Sequence, residues 1–199
     1  MALLEVIKFP DSRLRHKGKV VEEVTPELKQ LASDMLETMY AEKGIGLAAI
    51  QIGVAVRLLV IDVSPQGEGN RYEQGEGMTD LENQVTQPIV IFNPEITKKE
   101  GKTTYDEGCL SVPGFYETVV RSKYIEVKGL DKDGSPIDYK LDGLLAICMQ
   151  HEIDHLDGKV FIDRLSPIKS NRIKAKIKKF GYPSPEDEEE ETEEETLQV

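Results

Sequence analysis

The stretch CMQHEIDHLDG, residues 148–158, places two histidines four positions apart, with a glutamate directly after the first. Four residues make about one turn of an α-helix. The rings of His151 and His155 can therefore face one ion, with Glu152 beside it as a base. The alternative is that the two histidines are neighbours by chance, on the surface or in the core. The spacing favours a metal site carried by a helix.

Two histidines leave such a site short of a third protein ligand. The only cysteines in the chain are Cys109 and Cys148. Cys148 is seven residues from His155, roughly 10 Å along a helix axis. We therefore expect it to pack beside the site rather than bind the ion. Cys109 lies in the loop-like stretch YDEGCLSVPG, where it is either a ligand or a buried thiol.

Hydrophobic periodicity and capping residues predict three helices, near 26–42, from Asp142 to about Leu156 and from Ser166-Pro167 to about Phe180. β-branched runs predict strands at 57–63, 89–92, around 118–130 and at 136–141. The tetrapeptide DKDG predicts a hairpin between the last two strands. Isolated helices among hairpins favour an α+β fold over a doubly wound sheet.

The segment GIGLAA, residues 44–49, superficially fits the glycine-rich fingerprint of dinucleotide-binding proteins. That fingerprint requires a strand before it and a helix after it. Here a predicted helix comes before and a predicted strand follows soon after. We therefore reject a nucleotide-binding interpretation and read the segment as a loop.

Charge is unevenly distributed along the 199 residues, because the stretch EDEEEETEEE at 186–195 holds nine acidic residues of a chain whose net charge is −12. The rest of the chain carries about −3, which makes no broad electrostatic case for nucleic acid. No apolar run approaches the roughly 20 residues that span a bilayer, and the N-terminus lacks a signal-peptide pattern. Together with the chain length, these features predict a cytoplasmic protein with one domain, 1–182, and a disordered acidic tail, 183–199.

Three motifs occur in order: GIGLAAIQ at 44–51, EGCLS at 107–111 and QHEIDHLDG at 150–158. Together they resemble the peptide deformylase family, over roughly residues 1–170. The resemblance implies an α+β fold in which mixed or antiparallel β-sheets surround a central helix carrying the histidine pair. It also implies a hydrolase that removes the N-formyl group from formylmethionyl nascent peptides. The implied cofactor is one divalent metal per chain, natively Fe(II), and Zn, Ni or Co can occupy the same site.

Residue by residue, the resemblance assigns Cys109, His151 and His155 as metal ligands, with water in the fourth position. Glu152 becomes the catalytic base, and the oxyanion is bound by the side chain of Gln51 and the backbone N–H of Leu110. The substrate is expected as an added strand, with its methionine in an apolar pocket. The residues implied for substrate binding are Ile45, Gly46, Gly108, Leu144, Ile147 and Cys148. An ion pair between Asp154 and Arg121 is expected to fix the helix against the sheet.

The sequence departs from the family in three places. Residues 66–87 are expected to be an inserted surface loop, Tyr116 replaces a basic residue of many bacterial relatives, and the acidic tail is not a family feature. The histidine pair also fits two other functions: a zinc peptidase with the HExxH motif, and an inactive metal-binding module. The final helix carries six basic residues, which suggests either a surface helix or docking to the ribosome. Competition from the tail is expected to weaken such docking.

Overall fold

A computed structural model describes residues 3–64 and 77–182. All three predicted helices are present, and two of them begin with a hydroxyl side chain that accepts a backbone N–H, at Thr25 and Ser166. The helices are α1 (Pro26–Ala41), α2 (Gly143–Leu156) and α3 (Pro167–Phe180). The strands are β1 (Gly46–Ala48), β2 (Leu58–Ile61), β3 (Ile89–Glu100), β4 (Thr103–Glu107), β5 (Glu117–Arg121), β6 (Tyr124–Leu130) and β7 (Pro136–Leu141).

The named strands form two antiparallel sheets. One has five strands in the order β1-β2-β3-β6-β7, and the other pairs β4 with β5. The predicted hairpin is present, since β6 and β7 pair from Ile125–Leu141 to Leu130–Pro136. The α+β expectation is confirmed, with antiparallel pairing throughout the named strands.

Several strand predictions were wrong in extent. The single strand predicted around 118–130 is two strands, β5 and β6, which lie in different sheets. Strand β3 continues to Glu100 beyond the predicted 89–92, because its outer half pairs with β6 while its side chains face solvent. Strand β4 has a mainly polar sequence and was not predicted. The segment at 44–51, read as a loop, contains β1 and a short 3₁₀ turn.

Helix α2 is the centre of the fold. Every residue from 145 to 156 is buried, so the helix is enclosed on all sides. It packs against β1 and β2 of the five-stranded sheet. Apolar side chains of the helix, including Leu145, Met149 and Leu156, belong to the same core cluster as Ile125 and Phe161. The tertiary fold therefore removes the HEIDH segment from bulk water.

The N-terminus of α2 is capped differently from the sequence prediction. Asp142 occupies the N-cap position but makes no capping hydrogen bond with its side chain, which instead accepts from the hydroxyl of Thr79. The backbone N–H of Leu145 donates to Glu82 Oε1 at 2.8 Å, and Thr79 N–H donates to Glu82 Oε2 at 2.8 Å. Glu82 is 1% exposed. The described part of the predicted surface loop, 77–87, therefore includes a buried cap for the central helix.

Some expectations fall on residues that are not described. Residues 65–76, the first part of the expected insertion, and the acidic tail at 183–199 lie outside the described ranges. Within 3–64 and 77–182, no helix has the length and apolar character required to cross a membrane.

Candidate active site

Three side chains converge where the β4–β5 connection meets α2. Cys109 Sγ lies 3.2 Å from His155 Nε2, and His155 Nε2 lies 3.2 Å from His151 Nε2. One ligand atom from each residue lies within 4.8 Å of the others. The helical spacing brings the two rings together, and the connection between β4 and β5 supplies the thiol.

The spacing of these atoms fits one metal ion. In a tetrahedral shell with zinc-type bond lengths, two nitrogens lie about 3.3 Å apart and a sulfur lies about 3.6 Å from a nitrogen. The observed separations are within a few tenths of an ångström of those values. One thiolate and two imidazoles suit Zn, Fe or Ni. With three protein ligands, a fourth position stays open for chemistry.

The orientation of His151 is set by a chain of buried charges behind it. Its Nδ1 lies 2.8 Å from Glu107 Oε2. Arg121 binds both oxygens of Glu107, at 2.6 and 2.8 Å, and binds Asp154 Oδ2 at 2.5 Å. Arg164 also binds Asp154, with its Nε 2.9 Å from Oδ2. The expected Asp154–Arg121 ion pair is therefore present, and it is connected to His151 through Glu107.

The pKa values follow from this network. Burial acts to raise the pKa of Glu107, but hydrogen bonds from Arg121 and His151 outweigh it and lower the value to about 2. The same holds for Asp154. Burial acts to raise its pKa, but Arg164 and Arg121 outweigh burial and hold the pKa below the usual range. Both carboxylates are thus ionised at neutral pH. An ionised carboxylate can only accept, so His151 Nδ1 carries a proton, and Nε2 is the ring nitrogen that faces Cys109 and His155.

Sequence reasoning missed the roles of Glu107 and Arg164. Glu107 is the first residue of EGCLS, and nothing within that motif indicates its function. A general rule could have found it, because metal-binding histidines usually donate their second ring nitrogen to a carboxylate or carbonyl. Glu107, two residues before the candidate ligand Cys109, is a carboxylate that could serve as this partner. No local signal indicated Arg164, which reaches Asp154 from the 3₁₀ turn that follows α2.

Glu152 lies beside the ligands in the same turn of α2. It is 3% exposed, and its Oε2 has no hydrogen-bond partner among the described residues. Burial raises the pKa of Glu152 to about 7, although the neighbouring His151 acts in the opposite direction. A carboxyl group whose pKa is near neutral can both accept and release a proton at physiological pH.

The two histidines titrate in opposite directions. Burial lowers the pKa of His151, but contacts with Cys109 and Glu107 outweigh it and hold the value well above the usual range. Burial, together with the charge of His151, holds the pKa of His155 well below the usual range. His155 is therefore neutral, which is the form that binds a metal.

Gln51 projects its amide toward the thiol of Cys109. Its Oε1 accepts from Ala48 N–H at 2.8 Å, which fixes the side chain. Its Nε2 lies 3.7 Å from Cys109 Sγ and 3.3 Å from Ser111 Oγ. A donor held in this way requires little reorganisation to bind an oxyanion. Leu110, the other expected oxyanion contact, lines the same cleft.

A cleft of about 960 Å³ opens onto Glu152, Cys109 and His151. The residues implied for substrate binding all line it: Ile45, Gly46, Gly108, Leu144, Ile147 and Cys148. Tyr116 lies at its rim, and its ring covers Gly108 so closely that a Cβ at Gly108 would lie 2.5 Å from the ring. His155 is fully buried and is not among the residues that line the cleft.

Close packing at Gly46 explains why a glycine is needed there. A Cβ at this position would lie 2.4 Å from Glu152 Oε1 and 2.7 Å from Cys148 Sγ. Cys148 also donates to the backbone oxygen of Ile45, with the sulfur 3.5 Å away. The absence of a side chain at Gly46 therefore lets edge strand β1 approach both the carboxylate and the pocket wall.

Comparisons of this chain with known proteins by sequence and by structure all match the same family. Residues 3–171 match the family model for polypeptide deformylase. The peptide deformylase of Chromobacterium violaceum is 48% identical over 179 residues, covering 90% of this chain and 96% of that protein. A crystal structure of a peptide deformylase from Legionella pneumophila aligns with a TM-score of 0.76 at 45% identity, over 90% of this chain and 95% of the other.

A second solved structure, the Ehrlichia chaffeensis peptide deformylase in complex with actinonin, aligns with a TM-score of 0.78 at 40% identity, over 90% of this chain and 99% of that one. The match to the family model, 3–171, includes all three sequence motifs. The chain therefore belongs to the polypeptide deformylase family, and it is a metal-dependent hydrolase that removes the N-formyl group from newly synthesised polypeptides.

Proposed function

We propose that Cys109, His151 and His155 hold the catalytic ion and that Glu152 is the base. The observation that carries this proposal is the convergence of the three ligand atoms beside a buried carboxylate whose Oε2 has no partner among the described residues. A bound divalent ion supplies a Lewis acid and makes a nucleophile of water near neutral pH. Glu152 accepts the proton of the attacking water and delivers it to the departing amine.

The oxyanion that forms on the formyl group is bound by the chain's own donors, Gln51 Nε2 and the backbone N–H of Leu110. Losing one donor of this kind typically costs about 10²–10³ in kcat. Cleavage of the C–N bond then gives formate and a free methionine amine. The fixed amide of Gln51, held by Ala48, supports this role.

The substrate binds as an additional strand beside β1. Strand β1 is an edge of the five-stranded sheet, and main-chain bonds to an edge do not depend on side chains. Ile45, Gly46 and Gly108 supply main-chain contacts. Leu144, Ile147 and Cys148 form the methionine pocket. Actinonin, bound in the E. chaffeensis relative, is expected to compete for this cleft.

Formyl-Met-Ala, acetyl-Met-Ala and an unblocked peptide of internal sequence discriminate among the candidate functions. A deformylase releases formate from the first and leaves the others intact. Cleavage of the internal peptide bonds would identify a zinc peptidase, and binding without turnover of any peptide would identify an inactive module. The site agrees with deformylase activity, since Gln51, Cys109, His151 and Glu152 all line one cleft.

Fe(II) is the native metal in our proposal, with Zn, Ni and Co able to replace it. The supporting observation is the mixed thiolate and imidazole donor set. Metal analysis of protein purified without oxygen, together with activity, tests this. The iron form should lose activity in air through oxidation of the iron or of the Cys109 thiolate, and the nickel form should not. Equal activity under air and nitrogen, with iron bound, would overturn the proposal.

Residues 1–182 act as one catalytic domain in the cytoplasm, and α3 docks this domain on the ribosome. The basic residues of α3 are Lys169, Arg172, Lys174, Lys176, Lys178 and Lys179. Lys169 and Arg172 pair with Glu117, at 2.5 and 2.9 Å. Lys174 lies 4.0 Å from Asp163. Lys176, Lys178 and Lys179 are left for ribosomal RNA phosphates, so binding should weaken steeply with salt.

Ribosome pelleting tests the docking. Deleting residues 186–199 should leave turnover of formyl-Met-Ala unchanged and strengthen binding at low salt, because the acidic tail competes for the same lysines. Equal binding by the intact and truncated chains would exclude tail competition. If neither chain binds at low salt, α3 is only structural.

A further inference from the structure

A second cavity, of about 320 Å³, lies beside the C-terminal half of α2 and, among the described residues, shares no lining residue with the active-site cleft. One wall is the helix itself, where Gln150, Ile153 and Asp154 occur at spacings of three and four residues and therefore share a face. Other walls include the turns that join β3 to β4 and β5 to β6. These turns are close together, since a Cβ at Gly101 would lie 3.2 Å from the Cβ of Lys123. The volume is at the lower end of the range for small-molecule sites, about 300–1,000 Å³.

Positive charge predominates in this cavity. Within the described part of the chain, five cationic side chains and two carboxylates line it: Lys99, Lys102, Arg121, Lys159 and Arg164, with Asp154 and Asp157. The chain outside 186–195 carries a net charge of about −3, so an excess of three positive charges at one place is a distinct local feature. A concave surface lined mainly by one sign of charge concentrates ions of the opposite sign. The cavity therefore favours an anion.

Both of these carboxylates are already bound to arginines. Asp154 binds Arg121 and Arg164. Asp157 Oδ1 accepts from Arg57 Nη1 at 2.9 Å. The two acids are therefore engaged by arginine side chains and do not neutralise the lysines of the cavity.

Three lysines of the cavity have no carboxylate partner. Lys99 and Lys102 lie on either side of Gly101 in the β3–β4 turn, and Lys159 follows the end of α2. All three are exposed, and none forms an ion pair within residues 3–64 and 77–182. Their ammonium groups are therefore free to bind a ligand that enters the cavity.

Two arginines and a serine complete the set of donors. Arg121 is 4% exposed and is fixed by Glu107 and Asp154. Arg164 binds Asp154 through Nε and Nη2, and its Nη1 makes no hydrogen bond to any described residue. Ser122 also lines the cavity, and its hydroxyl is likewise without a hydrogen bond in the described ranges. Donors that are held in place before a ligand binds lose little conformational freedom on binding.

We propose that this cavity binds a small molecule that carries a phosphate group. Ammonium groups bind phosphate as point charges, and a guanidinium binds it through parallel N–H donors. A phosphate with up to two negative charges matches the surplus of positive charge better than a carboxylate with one. The enclosure by α2 and two turns suits one compact anion, whereas an RNA strand requires a groove that follows its backbone. The chemistry that the cavity recognises is the phosphate group, whether free or on a nucleotide.

Isothermal titration calorimetry of the metal-loaded full chain, at about 0.05 M ionic strength, tests the site. The probes are inorganic phosphate, ADP and a short single-stranded RNA. The cavity variant combines Lys99→Gln with Lys102→Gln, and Lys159→Gln is a second variant on a different segment. The matched control combines Lys176→Gln with Lys178→Gln, which removes the same charge from exposed positions of α3.

ADP should bind the full chain at one site, with a Kd at least about tenfold weaker in the cavity variant, because hydrogen bonds to charged groups are lost. Lys159→Gln should also weaken binding. The α3 control should change the Kd by less than about twofold, because its two lysines lie outside the cavity. Equal weakening in the cavity variant and the control would overturn the proposal, as would the absence of saturable binding of both phosphate and ADP.

The three probes identify the source of the phosphate. Similar Kd values for phosphate and ADP would make the phosphate group the whole ligand, and tighter binding of ADP would show that a nucleoside contributes. RNA that binds more tightly than ADP and is weakened in the cavity variant would identify a nucleic-acid surface and overturn the small-molecule proposal. Anion binding at the metal ion would be equal in the full chain and the cavity variant, so it also counts against this site.

Catalysis provides the control for folding. Lys99, Lys102 and Lys159 lie outside the active-site cleft, so their variants should turn over formyl-Met-Ala at the rate of the full chain. If the double variant lost this turnover, Lys159→Gln would decide the test. Failure of anion binding with normal turnover refutes only the second site and leaves the proposed deformylase function intact.

Discussion

Glu107 and His151 share a buried hydrogen bond, with 2.8 Å between Glu107 Oε2 and His151 Nδ1, across 44 positions of sequence. Arg121 fixes Glu107 from the other side through both carboxylate oxygens. The bond determines which ring nitrogen of His151 is available to an ion. We therefore expect the metal affinity of the proposed site to depend on Glu107, which is not one of the three proposed ligands.

Replacing Glu107 by alanine should weaken metal binding by about 10–100-fold, the usual effect of losing such a partner. The ring of His151 would lose its orientation, and Arg121 would keep a buried charge with one partner fewer. Competition with a chromophoric chelator measures the metal Kd. Asp106→Ala, which removes an exposed acid from the same strand, is the matched control. An unchanged Kd in Glu107→Ala would show that the hydrogen bond has no role in metal affinity.

Glu152→Gln should retain the metal and lower kcat by about 10²–10⁴, since glutamine fills the same space but cannot accept a proton. Metal content per chain and the rate of formate release are the two measurements. Glu100→Gln, on the exposed end of β3, should change neither. Loss of metal from Glu152→Gln would make Glu152 a ligand and contradict its assignment as the base.

Substitutions of the two cysteines should have different effects on metal binding. Cys109→Ala removes a ligand atom and should abolish metal binding, and activity with it. Cys148→Ala should keep the ion, because its sulfur contacts the backbone of Ile45 and forms pocket wall. Only the side-chain selectivity at the first residue should change, measured with formyl-norleucine and formyl-Met peptides. Metal loss from Cys148→Ala would be incompatible with this division of roles.

Gly46→Ala should reduce kcat without removing the metal. Its new methyl group would lie 2.4 Å from Glu152 Oε1, so the carboxylate or β1 must move. Gly77→Ala is a suitable control, because a Cβ at Gly77 meets no heavy atom within 4 Å. Steady-state kinetics and metal analysis distinguish the outcomes. If Gly46→Ala kept the wild-type kcat, catalysis would not depend on the exact position of the Glu152 carboxylate.

Glu82→Ala should lower the free energy of unfolding by about 1–3 kcal/mol, because it leaves the N–H groups of Leu145 and Thr79 without their acceptor. Gln84→Ala, an exposed neighbour, should change it by less than about 0.5 kcal/mol. Urea denaturation of the metal-loaded proteins gives both values. Equal stabilities would mean that water or Asp142 can replace the cap.

Local patterns in the sequence determined the three helices, the α+β class and the group of residues that forms the site. Helix periodicity and the His151–His155 spacing are set within a few residues, so they can be read without a tertiary fold. The motifs containing Gln51 and Cys109 then extended the site by resemblance to a family. The Asp154–Arg121 pair was also expected in this way, and it is present.

The tertiary structure decided the contacts that join distant segments. The partnership of Glu107 with His151, the approach of Arg164 to Asp154 and the Glu82 cap on α2 all depend on how strands and turns pack around the central helix. Polar strands such as β4 lack the apolar alternation that predicts a strand, because pairing with β5 stabilises them instead. Long-range hydrogen bonds and burial create the geometry and the pKa values of the site, and neither is encoded in any short stretch of sequence.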